Sequence, residues 1–153
     1  MFDLKFRISL WGILVFILPM LINLFYFKVA PDNTSTPIPP QYRWIEWIEQ
    51  ATRILYMIFI CILVSKQDVD FKSPYLYISI IFLILYYIVW IRFFMSGMQS
   101  ELRKANFFFV PIPLAIFPVL YFLFAALWLQ NGLAAITMLF FGVAHYFVSS
   151  MTL

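Results

Sequence analysis

Four stretches of this chain, 8–27, 75–94, 107–129 and 133–151, are about 20 residues long and almost wholly apolar. That is the length an α-helix needs to cross a hydrocarbon core of roughly 30 Å. A water-soluble domain of 153 residues cannot hide four such helices, because small domains leave a large share of their surface exposed. Composition agrees. Hydrophobic residues make up 65% and charged residues 11%, against roughly 45–50% and about 25% in globular chains. The same balance excludes a disordered chain. The expected fold class is all-α: a multi-pass transmembrane helical bundle forming one domain over 1–153, integral to the membrane, with the cell membrane as the expected compartment.

A fifth segment decides the span count. Residues 54–64 are apolar but only about half the length a bilayer needs. Upstream, 43–53 contains no Gly or Pro to stop a helix. At about 100° per residue, Arg43, Glu46, Glu49, Gln50, Arg53, Met57 and Cys61 fall within an arc of about 120°. Trp44, Trp47, Ile48, Ala51 and Ile54 lie outside it. One continuous helix over about 42–65 gives five spans, at about 8–27, 42–65, 75–94, 107–129 and 133–151. If this segment only lies in the interface as an amphipathic helix, the bundle has four. The tryptophans suit either case, being natural interface residues.

The connections carry fewer constraints. The polar loop 28–41 holds Pro31, Pro37, Pro39 and Pro40 and reads as extended and solvated; its Asn33-Thr34-Ser35 matches a glycosylation triplet. Gln130-Asn131-Gly132 is a tight turn that makes the last two spans antiparallel neighbours. Pro111, Pro113 and Pro118 are expected to kink the fourth span. The first apolar run reads as a retained anchor, since Lys28-Val29-Ala30-Pro31 is a poor small-residue cleavage site. Lys5 and Arg7 ahead of that run favour a cytoplasmic N-terminus. A single cysteine, Cys61, excludes an intrachain disulfide and reads as a small apolar residue. The net charge of +3 is scattered, so no nucleic-acid partner is expected.

The polar residues inside the spans converge on one side. With five spans, Asn23, Glu49, Arg53, Arg92 and His145 all fall in the half of the membrane reached by the end of span one, here termed the far face. The other half offers Ser79 and Thr137, with Gln130 at its edge. Ionisable residues within spans are expensive and tend to face a bundle interior or a wet cavity. The candidate ligand site is therefore Glu46, Glu49, Arg53 and His145, with Asn23 at similar depth. Each has a plainer structural reading: Glu49 and Arg53 are spaced i,i+4 as a helical ion pair, and His145 suits an interhelical hydrogen bond.

Glu49-x-x-x-Arg53 and Phe141-x-x-x-His145 resemble fragments of the motifs of CPBP-type intramembrane glutamic proteases. That family's first motif carries two adjacent glutamates, and here Ile48 stands where the water-activating one is expected. Its later His/Asn motif has no counterpart. The residues name no cofactor or metal, and the chain is read as leaning away from an enzyme. The leading expectation is a one-sided polar intramembrane cavity that binds or transports a small molecule or ion. The alternative is a non-catalytic membrane subunit that assembles with a partner membrane protein. An intramembrane enzyme ranks below both.

Overall fold

A computed structural model describes residues 2–29, 37–99, 102 and 105–152; the Asn33 triplet lies outside the described residues. The described chain is dominated by helices: α1 (Leu10–Val29), a 3-10 turn at Pro40–Tyr42, α2 (Arg43–Ile62), α3 (Pro74–Met95), α4 (Pro113–Trp128) and α5 (Gly132–Thr152). Two short strands, β1 (Leu4–Phe6) and β2 (Leu63–Ser65), pair antiparallel. Three helices are long and apolar enough to cross a membrane: α1, α3 and α5, with mean hydropathies of 2.2, 2.2 and 1.6. At 16 residues α4 is shorter, and α2 carries Arg43, Glu46, Glu49 and Arg53 within its 20 residues.

The strands were not foreseen, and they change how the N-terminus is held. Leu4 faces Ser65 and Phe6 faces Leu63, so the residues before α1 are tied to the end of α2. Asp3 and Lys66 form an ion pair at 2.6 Å. The helix over 42–65 therefore ends at Ile62, and 63–65 are extended. Ser9 then starts α1. Its Oγ accepts the Gly12 N–H at 2.9 Å, satisfying a first-turn donor that has no partner within the helix. Its own N–H donates to the Cys61 carbonyl at 2.8 Å. A Cβ on Gly12 would stand 1.8 Å from the Ile60 carbonyl oxygen, so α1 and α2 cross backbone to backbone there.

The helix in the 107–129 segment begins at Pro113, not Phe107. Proline disfavours the α region for the residue before it, and Pro111 and Pro113 impose this on Val110 and Ile112 in succession. Ile112 takes a left-handed conformation (φ 44°, ψ 59°), and 107–110 close a small turn, with the Phe107 and Val110 N–H groups donating to each other's carbonyls at 3.1 and 3.0 Å. Inside α1, Pro19 has no N–H for the Val15 carbonyl, four residues back. Tyr121 supplies the missing donor, its hydroxyl 2.9 Å from that oxygen.

Helix α3 packs against α4 and α2 against α5, with α4 beside α5. Close approach of the last pair is set by small residues: Ala125, Ala126, Ala134 and Ala135 are all buried. Asn131, in the tight turn, is 1% exposed. Its Oδ1 accepts the Ala134 N–H at 3.1 Å, and its Nδ2 donates to the Phe59 and Leu63 carbonyls at 2.7 and 3.0 Å. One side chain thus caps the start of α5 and satisfies the end of α2.

Candidate functional site

One edge of the polar stripe of α2 turns toward α5, through Glu49, while Arg43, Gln50, Arg53 and Met57 are exposed. Glu49 is 3% exposed, whereas Trp44, Trp47, Ile54, Leu55, Ile58 and Ile62 on the same helix are exposed. Glu49 lies six residues after Arg43 and His145 seven before Thr152, about 9 and 10 Å from their helix ends at 1.5 Å per residue. The helices are antiparallel, so these depths coincide. His145 Nδ1 sits 2.9 Å from Glu49 Oε1, and the same oxygen accepts from the Arg53 guanidinium one turn along α2.

Phe141 completes the cluster. The His145 ring stacks on it at 4.9 Å and 15°, and the Arg53 guanidinium lies over it at 5.5 Å, within range for a cation–π contact. Exposure is graded: the side chains of Glu49, His145 and Arg53 are 4%, 23% and 48% accessible. The buried charge is thus compensated at its centre, and accessibility rises from Glu49 to Arg53.

The chemistry follows from donor and acceptor counting. A carboxylate paired with a guanidinium is ionised and can only accept. His145 Nδ1 must therefore carry the proton, which leaves Nε2 as the open position of the ring. Neutral His145 offers a proton acceptor there. Once protonated, it offers a donor and gives the three-residue cluster a net charge of +1. Arg53 keeps N–H donors beyond the one spent on Glu49. What remains open is therefore mostly donors, and the negative charge of Glu49 is consumed inside the cluster.

The structure brings three of the five sequence-selected residues into contact. Glu46 lies one turn nearer the far end of α2, in a cavity of about 160 Å³ lined by Arg43, Glu46, Trp47 and Gln50. Asn23 belongs to another junction, where its Oδ1 accepts the Tyr86 hydroxyl at 2.7 Å and links α1 to α3. Arg92 donates to the Asn106 carbonyl at 3.4 Å and lies over the Phe107 ring at 5.8 Å. Sequence reasoning treated Asn131 as a turn residue and gave no role to the tyrosines. Tyr56, Tyr87 and Tyr121 each donate to a carbonyl of another helix, at 2.9, 2.6 and 2.9 Å.

Among the described residues, no three His, Cys, Asp or Glu side chains are grouped to hold a metal ion. Compared with known proteins, the chain matches no family model, no curated protein and no solved structure. The fragmentary likeness to the glutamic proteases therefore has no family match behind it.

Proposed function

We propose that this is an integral membrane protein whose five helices all cross the bilayer, and that Glu49, Arg53 and His145 form a site open to the far face that takes up a proton and a small anion. The observation that carries this reading is the Glu49 carboxylate, 4% exposed and bonded across two helices to His145 at 2.9 Å. Ionisable groups at such depth commonly mark ion and substrate paths or proton relays. Both partners of Glu49 sit on Oε1 and Arg53 offsets its charge, so the incoming charge is negative, and protonation of His145 Nε2 creates the place for it. Two features support the crossing of α2: Glu49 is buried against α5, and its exposed residues from Trp44 to Ile62, over about 27 Å at 1.5 Å per residue, are apolar apart from Gln50 and Arg53. An interfacial helix would turn Glu49 toward water as well. Lys5 and Arg7 favour a cytoplasmic N-terminus, and with that orientation the site opens on the opposite side.

The test uses acetate and inorganic phosphate as probes on detergent-purified protein, read as the shift in unfolding temperature. A ligand that binds the folded state raises that temperature. At least one anion should stabilise the wild type, more strongly on acidification, and His145→Gln should remove the acid-dependent part. Equal shifts in wild type and variant, or none in either, contradict the reading.

A second reading has its own observation: Glu49 already holds Arg53 and His145 on Oε1 without any ligand. The cluster would then be a clamp between α2 and α5 in a non-catalytic subunit. That reading expects no anion effect and stoichiometric co-purification with a membrane partner in mild detergent.

A further inference from the structure

We infer that the turn at 107–110 is an aromatic anchor in the far leaflet, with Phe108 and Phe109 entering the boundary between headgroups and acyl chains. The inference rests on the membrane reading above. It starts from a mismatch in length. Helices α3 and α4 have 22 and 16 residues, about 33 and 24 Å at 1.5 Å per residue. They share a near end: Trp128 Nε1 donates to the Asp70 carbonyl at 2.9 Å, just ahead of α3, and Tyr75 stacks on Phe124. The deficit of about 9 Å therefore lies wholly at the far end, where a hydrocarbon core of roughly 30 Å outlasts α4.

The turn fills that depth. Arg92, in the last turn of α3, lies over Phe107, and Phe107 packs edge-on against Phe117 at 6.1 Å. The turn is thus level with the end of α3, not above it. Phe108 and Phe109 are 83% and 98% exposed. Leaving two adjacent phenylalanines in water forgoes the gain of taking both rings out of it. Phe108 also holds φ at 53°, a conformation rare for a bulky residue, and it does so while projecting both rings outward. The Phe107–Val110 hydrogen bonds pair backbone groups that would otherwise be costly near hydrocarbon. Lipid is the occupant that meets all these conditions, being continuous with the exposed apolar faces of the neighbouring helices.

Spin labels test this in vesicles of palmitoyl-oleoyl phosphatidylcholine. In a Cys61→Ala background, Phe109→Cys and Phe108→Cys are labelled separately, and Phe140→Cys on the exposed face of α5 serves as the reference (64% exposed). Collision with oxygen, which partitions into lipid, is compared with collision with a water-soluble nickel chelate. The expected result is oxygen preference at all three sites, shallower at 108 and 109 than at 140. A label at 140 in lipid with those at 108 and 109 in water overturns the anchor but not the membrane reading. Water exposure at all three overturns both. Labels at 108 and 109 that collide with neither reagent show a protein cover and overturn the anchor.

Discussion

At the scale of single residues, the proposed membrane setting turns unremarkable polar groups into structural decisions, because water would not satisfy them there. Glu49 and His145 lie 96 residues apart in the chain on different helices, and each gives the other a partner that lipid would not. A cycle of Glu49→Gln, His145→Gln and the double variant should show a coupling of about 1 kcal/mol, within the range of interhelical hydrogen bonds in membranes, when unfolding in mixed micelles is measured. Additive losses would mean that the contact carries no energy. Tyr121 offers a sharper case. Tyr121→Phe should cost about 1 kcal/mol by leaving the Val15 carbonyl without its donor. Pro19→Ala restores a backbone N–H to that carbonyl, so the same tyrosine substitution should cost markedly less in the Pro19→Ala background. An unchanged cost would refute the exchange of donors. Depth made Glu49, Arg53 and His145 legible as one group, since 1.5 Å per residue fixes height. It does not fix azimuth. Asn23 was selected by the same arithmetic, yet it lies on α1 toward Tyr86 of α3.

At the scale of elements, the helices were legible where apolar length alone defines them, and less so where local stereochemistry interrupts it. Hydropathy carries 107–112 into the fourth span; two prolines with their restricted predecessors take it out. The β1–β2 ladder left no signal in the sequence, being three residues a side and joining segments some 60 positions apart. It gives the N-terminal residues a fixed place against α2, and Gly12 sets how close α1 then comes. Gly12→Val should cost about 1–3 kcal/mol by overpacking, because its new side chain meets the Ile60 carbonyl and not a movable side-chain tip. A neutral result would mean that the helices separate freely. Asn131→Ala removes a helix cap and two further bonds, to the Phe59 carbonyl of α2 and the Leu63 carbonyl just beyond it. The loss should reach about 2 kcal/mol, and Asn131→Asp should not rescue it, since a carboxylate keeps the cap acceptor but loses both donors. Full rescue by Asp would assign the residue to capping alone.

At the scale of the whole molecule, polarity is divided unevenly between the two ends. The far half holds Glu49, Arg53 and His145 in contact and Glu46 in the adjoining cavity. Deeper in the near half, Ser79 and Thr137 bond to carbonyls of their own helices. This asymmetry gives the proposed site its direction, and it has functional meaning only if α2 crosses the bilayer. In sealed, oriented vesicles carrying the Cys61→Ala background, single cysteines at Gln41, Gln50 and Gln67 are exposed to a membrane-impermeant thiol reagent from each side in turn. The account predicts labelling of Gln41 and Gln50 from one face and of Gln67 from the other. Labelling of Gln41 and Gln67 from the same face would contradict the crossing of α2, and with it the site.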